Sequence, residues 1–150
     1  MKRKTVVLFL IAALAVGLVL SADGLSVQGN GRKLQQSIQN AESGTVLLND
    51  LVPFSWDSLY IIQEPYLSQG QIEEIIGFQS PHIRETPSEG MVQLLFTRGS
   101  RIVCSVCGYA DRLGYYFDAP PNGGYAKIAY ADGARFSLSR EKKLAVLVLL

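Results

Sequence analysis

Residues 53–78 (PFSWDSLYIIQEPYLSQGQIEEIIGF) most constrain the fold, because this stretch combines a strand pattern, a proline stop and a helix pattern. Residues 59–62 (LYII) form a compact run of β-branched and aromatic side chains, which predicts a buried strand. Pro65 ends this strand, since proline has no N–H for a ladder and keeps the residue before it extended. An element of another kind must therefore follow.

That element is predicted to be a short helix. Ser68 is a typical N-cap residue, and Gln71 three residues later completes a capping box. Gly77 suits the position just past a helix C-terminus. The apolar face is formed by three isoleucines, Ile72, Ile75 and Ile76. Because a helix of two turns is marginal alone, this face must pack on the rest of the domain.

The first 22 residues have a pattern typical of export. Three basic residues at positions 2–4 precede an apolar run at residues 5–20, and the small residues that follow offer a cleavage site. Residues 1–22 are therefore predicted to be a cleaved signal peptide or a transmembrane anchor. The anchor is possible because residues 5–22 are just long enough to cross a hydrocarbon core about 30 Å thick. A buried core helix fits the flanking charges less well. Both main readings place the rest outside the cytoplasm, either secreted or as part of a single-pass membrane protein.

A linker and a second helix are predicted next. Residues 23–31 (DGLSVQGNG) are rich in glycine and polar side chains, which indicates a flexible linker. Residues 32–43 predict a weakly amphipathic helix. Its apolar positions are Leu34, Ile38 and Ala41. We therefore expect a single folded domain over residues 32–150.

The second half of the chain predicts antiparallel sheet. Apolar or alternating segments lie at residues 91–97, 101–107, 125–130, 134–138 and 144–150. Short turns at residues 98–100 and 131–133 predict two hairpins. With the elements above, the chain is expected to form an α+β fold, in which an N-terminal signal or transmembrane helix precedes two short helices packed on an antiparallel sheet of about five strands.

Composition and charge exclude two classes of protein. Hydrophobic residues make up 48% of the chain and charged residues 18%, which excludes wholesale disorder. Three of the 14 Lys and Arg residues lie in residues 1–22, so the remaining 11 are outnumbered by 13 Asp and Glu, a net charge of −2. A nucleic-acid partner needs a clustered positive face and is not expected.

Cys104 and Cys107 form a C-x-x-C pair and are the only cysteines. In redox enzymes such a pair begins a helix, whereas this one lies in a strand pattern, where positions three apart point to opposite faces. Packing thiols are the favoured interpretation, with a strained disulfide or a redox centre as alternatives. Together with His82 the pair supplies at most three zinc ligands, so we expect no metal site and no cofactor.

Trp56, Asp57 and Tyr66 are the candidate binding residues. Trp56 and Asp57 precede the first predicted strand, and aromatic side chains often anchor protein interfaces. The alternative role of Asp57 is to cap the local turn with its carboxylate. No hydrolase signature or phosphate-binding glycine loop occurs, so no enzyme activity is expected.

A motif in this region resembles one in small, uncharacterised bacterial envelope proteins that begin with a membrane anchor or a lipoprotein signal. It has the form F-x-W-D-x-x-Y-I, a gap, P-Y, and a helix ending in I-G. The matching residues are Phe54, Ser55, Trp56, Asp57, Tyr60, Ile61, Pro65, Tyr66, Ser68, Ile72, Ile75 and Gly77. The resemblance covers residues 45 to about 107 and implies a following β-hairpin but no activity. This chain departs from it at Gln63-Glu64 and in its cysteine pair.

The sequence favours an extracytoplasmic, membrane-anchored or secreted small domain that acts as an interaction module of the cell envelope. Its expected partners are an unidentified envelope protein and, if residues 5–22 remain uncleaved, the membrane. The alternative function is an extracytoplasmic thiol-redox protein that uses the Cys104/Cys107 pair.

Overall fold

The computed structural model describes residues 26–150, which form an α+β fold. The predictions for residues 1–22 lie outside the described residues. The helices in the described part are α1 (residues 26–40), α2 (Leu48–Leu51), α3 (Gln69–Ile76) and α4 (Ala110–Leu113), with a 3₁₀ turn at Tyr130–Asp132. The strands there are β1 (Gly44–Leu47), β2 (Ser58–Ile62), β3 (Met91–Arg98), β4 (Arg101–Tyr109), β5 (Tyr115–Asp118), β6 (Tyr125–Ala129), β7 (Arg135–Glu141) and β8 (Leu144–Leu149).

These strands form two four-stranded sheets, which corrects the expected single sheet of about five strands. The first sheet has the order β1-β7-β8-β5 and the second the order β4-β3-β2-β6. The β5–β8 pair is parallel, whereas the other pairs are antiparallel. The predicted β3–β4 hairpin is confirmed, but β6 and β7 lie in different sheets and form no hairpin. Alternation of apolar residues shows which face of a strand is buried, but it does not determine the partner strand.

The main core lies between the two sheets. Phe96 of β3, Phe117 of β5 and Phe136 of β7 are fully buried there, and the rings of Phe117 and Phe136 meet edge to face with centroids 5.4 Å apart. Because side chains alternate along each strand, every strand contributes one set to this core. The sheets pack against each other across it.

A smaller core covers the other face of the second sheet. Tyr60 and Ile62 of β2 and Leu95 of β3 pack there with Ile72 and Ile76 of α3. Both faces of β2 and β3 are therefore buried, which explains why their sequences are apolar almost throughout.

The end groups predicted for α3 are confirmed. Ser68 Oγ accepts a hydrogen bond from the Gln71 N–H, and Gln71 Oε1 accepts one from the Ser68 N–H, which is a capping box. Gly77 ends the helix in the left-handed conformation at φ +88°.

Helix α1 begins earlier than predicted, because residues 26–31 of the expected linker are already helical. Gly31 is disfavoured in a helix by roughly 1 kcal/mol relative to alanine, but it allows close packing: a Cβ there would lie 3.4 Å from Val106 Cγ2. Val27 is buried in the smaller core, and Asn30 Nδ2 donates to the Val103 carbonyl at 2.9 Å. Tertiary packing along β4 outweighs the low helix propensity of the glycines.

Arg140 of β7 caps the C-terminus of α1. Its Nη2 group lies 3.0 Å, 2.9 Å and 2.8 Å from the carbonyl oxygens of Ile38, Gln39 and Ala41. The last carbonyls of a helix lack intrahelical partners and carry partial negative charge, so a guanidinium at this position stabilises the helix end.

We expect Arg140→Ala to lower the free energy of unfolding by about 1 kcal/mol, because the carbonyls of α1 lose their cationic partner. Arg135→Ala is the matched control, since Arg135 is an exposed arginine of the same strand. Urea unfolding followed by the fluorescence of Trp56 measures both. Equal losses in the two variants would contradict the capping role.

Candidate functional site

Trp56 is a core residue. Its side chain is only 4% exposed and belongs to the main core. The indole ring meets Phe96 and Tyr130 edge to face, with centroids 5.6 Å and 5.3 Å apart. Its N–H has no hydrogen-bond partner among residues 26–150. The ring therefore contributes packing rather than an accessible binding surface.

Asp57 holds the end of the second sheet together. Its N–H donates to the Thr97 carbonyl at 2.7 Å, and its own carbonyl accepts the Tyr130 N–H at 2.8 Å. The carboxylate accepts the Gly99 N–H at 2.7 Å and so caps the turn of the β3–β4 hairpin. This turn is 42 residues away in the sequence, which is why only a cap of the local turn could be considered from the sequence.

Tyr66 combines exposure with a strained backbone. Its side chain is 66% exposed, and its φ of +63° lies in the left-handed region. This conformation costs a bulky L-residue roughly 1–2 kcal/mol. The backbone is held there because the Tyr66 N–H donates to the Thr86 carbonyl and because Leu67 and Thr86 form an isolated β-bridge.

Two buried polar side chains fix the loop over residues 79–90. Thr86 Oγ1 donates to the Glu64 carbonyl at 2.9 Å and accepts the Leu67 N–H at 3.2 Å. Gln93 of β3 bonds to both backbone groups of Arg84, as a neighbouring strand would. Both side chains are fully buried. They were missed as functional candidates, although a lone glutamine within an apolar strand indicates a polar partner.

A cleft of ≈ 730 Å³ lies between α3, this loop and β4. Its walls contain Gln69, Pro81, Ile83, Arg84, Glu85, Pro87, Met91, Ser105 and Cys107. Tyr66 adjoins the cleft, because Thr86, which binds its backbone, lies between the wall residues Glu85 and Pro87. No sequence pattern indicates this cleft, since the loop containing most of its walls has no periodic pattern.

The two cysteines lie on opposite faces of β4. Cys104 is buried in the main core, whereas Cys107 lines the cleft, and both thiols are free. Burial raises the pKa of Cys104 to about 12. Burial also raises the pKa of Cys107, although the nearby charge of Arg84 opposes this. A reactive thiol needs a lowered pKa, so this arrangement provides neither a thiol pair nor an activated nucleophile.

One of the predicted site residues lines the cleft, and the backbone of another bonds next to its wall. Cys107 lines it and Tyr66 lies beside it, whereas Trp56 and Asp57 precede β2 at the opposite end of the second sheet. Cys104 points into the core. In the described part of the chain, no group of three His, Cys, Asp or Glu side chains could hold a metal ion, and no helix is long and apolar enough to cross a membrane.

Comparison of the chain with protein-family models, curated proteins and solved structures finds no match. The resemblance to bacterial envelope proteins therefore stays a prediction.

The burial of Cys104 predicts a pH-dependent stability. The thiol of Cys104 has a pKa of about 12 in the folded state, whereas the ordinary pKa of a cysteine in the unfolded chain is 9.0. Stability from this raised pKa is therefore present below pH 9 and is lost as the pH rises towards 12, by about 1.4 kcal/mol per pH unit. The free energies of unfolding of the wild type and Cys104→Ala should converge over this range under reducing conditions. A constant difference would contradict the assignment.

Because Tyr66 is strained, we expect Tyr66→Gly to leave the free energy of unfolding unchanged or to raise it by up to about 1 kcal/mol. Glycine adopts positive φ without a steric cost, but it loses more chain entropy on folding, which offsets part of the gain. Tyr130→Gly is the control, because Tyr130 is also an exposed tyrosine but packs against Trp56. Chemical denaturation should show a loss only for Tyr130→Gly. A comparable loss in both variants would mean that the Tyr66 ring stabilises the fold.

Proposed function

We propose that this chain is an extracytoplasmic interaction module of the cell envelope, membrane-anchored or secreted, which binds a partner protein at the cleft beside Tyr66. The exposed, strained conformation of Tyr66 is the observation that supports this function most directly. Because the ring is largely exposed, its packing does not explain why Tyr66 is held at positive φ. Strained residues concentrate at functional sites, and tyrosine is enriched among interface hot spots.

The chemistry of the cleft supports a protein as the partner. Pro81, Pro87 and Met91 provide apolar surface, and Arg84 and Glu85 provide exposed charges of both signs. Protein interfaces commonly combine a small apolar centre with a polar rim. The hydrogen bonds of Thr86 and Gln93 fix the loop that contains these residues, so little conformational entropy is lost on binding.

The location at the envelope is supported by the sequence alone. The basic residues at positions 2–4 and the apolar run at residues 5–20 are typical of an export signal or a membrane anchor. The resemblance of the motif in residues 54–77 to small envelope proteins agrees with this location. The thiol-redox alternative is supported only by the C-x-x-C spacing, and the separation of Cys104 from Cys107 disfavours it.

Site-specific photo-crosslinking in cells that naturally produce the chain tests the binding function. A benzophenone amino acid at position 66 of the full chain should form a discrete adduct with one partner protein. The same group at position 130 is the control, since Tyr130 is the other exposed tyrosine of the described residues and lies at the far end of the second sheet. Equal adducts at both positions, or no adduct at position 66, would overturn the proposed binding surface.

A charge reversal in the cleft separates the cleft from general surface contacts. Arg84→Glu should reduce the position-66 adduct several-fold, because Arg84 lines the cleft, whereas Arg135→Glu on β7 should leave it unchanged. Chemical denaturation of both variants identifies any loss caused by unfolding. An unchanged adduct in the folded Arg84→Glu variant would contradict binding in the cleft.

A further inference from the structure

Helix α1 runs alongside β4 in the same direction. Val27, near the start of α1, packs in the same cluster as Ile102, near the start of β4. Further along, Asn30 bonds to Val103, and Gly31 faces Val106. The N-terminal end of α1 therefore lies beside the turn of the β3–β4 hairpin, and the preceding chain joins the domain at this end.

The residues at this end of the second sheet form one row, which we call the hairpin end: Arg101, Arg98, Asp57 and Tyr130. Arg98 and Arg101 are paired directly across the hairpin. Because Ser58 pairs with Thr97, the preceding residue Asp57 lies beside Arg98. The carbonyl of Asp57 accepts the Tyr130 N–H. Both arginines are exposed, and the carboxylate of Asp57 is engaged by the Gly99 N–H.

The two arginines of the hairpin end are not the side chains that would stabilise the hairpin itself. Two like charges directly opposite each other destabilise an antiparallel pair. Tyr130 exposes 49% of its surface at the same end. Arginine side chains are attracted to anionic lipid, and tyrosine is enriched at the headgroup level of membranes.

An apolar groove of ≈ 600 Å³ adjoins the hairpin end. Its walls include Ser26 and Val27 of α1 and the first residues of β4 from Arg101 to Val103. The groove thus connects the point where the chain joins the domain with the exposed arginine pair.

The chain length places the hairpin end near any membrane that contains the anchor. Five residues separate Leu20, the end of the apolar run, from Ser26. Even a fully extended chain of this length spans only about 20 Å. The end of the domain that carries Arg98 and Arg101 is therefore the end held close to the bilayer.

We propose that the hairpin end rests on the anionic headgroup surface of the membrane in which residues 5–22 are anchored. Arg98 and Arg101 bind lipid phosphates, and the ring of Tyr130 lies at the headgroup level. The charged wall of the cleft then lies further from the bilayer than the hairpin end, because Arg84 bonds to Gln93, five residues before Arg98 on β3. This inference rests on the membrane-anchored form of the proposed function.

Fluorescence quenching in vesicles tests this orientation. The full chain is reconstituted into phosphatidylglycerol–phosphatidylcholine vesicles that contain brominated lipids, with Ser100→Trp in the hairpin turn or Glu89→Trp as the control. Both positions are exposed, but Glu89 precedes β3 at its other end, about 25 Å from the turn. After subtraction of the wild-type Trp56 signal, quenching should be several-fold stronger for Ser100→Trp. Equal quenching at both positions would overturn the inference.

Charge and lipid controls test the role of the arginines. Adding Arg98→Glu and Arg101→Glu to Ser100→Trp should reduce the quenching, as should vesicles of phosphatidylcholine alone, because the arginine–phosphate contacts are lost while the short tether remains. Undiminished quenching in either case would contradict binding to anionic headgroups. Chemical denaturation confirms that the triple variant is folded, and Arg98→Gln with Arg101→Gln provides a milder second variant.

Flotation of the same vesicles separates this inference from the proposed function. A chain that fails to float with vesicles is not membrane-anchored, which would overturn both the anchored form and this orientation. A chain that floats but shows equal quenching at positions 89 and 100 is anchored without resting on its hairpin end. Crosslinking at Tyr66 is independent of both results.

Discussion

Burial of both faces of the second sheet is the constraint on which the rest of the structure depends. The first sheet covers one face, and α3 with the following loop covers the other. A polar side chain on either face must then find a partner inside the protein, since an unpaired buried polar group costs about 1–3 kcal/mol. Gln93 finds this partner in the backbone of Arg84, and the two bonds fix the loop that forms the cleft. Thr86 of the same loop holds the backbone around Tyr66. The candidate site is therefore a consequence of how the sheet is covered.

The sequence predicted the elements whose signals are local. The strand at residues 59–62, the capping box of α3 and the β3–β4 hairpin depend on residues close together in the chain, and the structure confirms them. The division into two sheets depends on pairings between distant segments, such as β1 with β7, for which the sequence has no local signal. The same distinction applies to the site. Exposure of Tyr66 and burial of Trp56 are decided by tertiary packing. The sequence shows only that both are aromatic residues in the same stretch, so both were equally good candidates.

Helix α1 illustrates how packing overrides a local pattern. Its glycines and polar residues favour a linker, yet contacts with β4 at one end and the Arg140 guanidinium at the other hold residues 26–40 helical. Because α1 is fixed at both ends, its direction relative to the sheet is also fixed. A flexible linker would have left this direction undetermined. The helix instead determines which end of the domain the preceding chain meets.

The charged residues of the cleft lie at a distance from the hairpin end. Arg84 bonds to Gln93 of β3, which lies five residues before Arg98, a distance of roughly 16 Å at 3.3 Å per residue. This is about twice the distance of about 8 Å over which charges are screened at physiological ionic strength. The field of an anionic membrane at the hairpin end is therefore weak at Arg84 and Glu85. A partner protein would meet the same charges in the cleft whether the chain is anchored or secreted, so cleavage at residues 20–22 would change where binding occurs without changing what the cleft recognises.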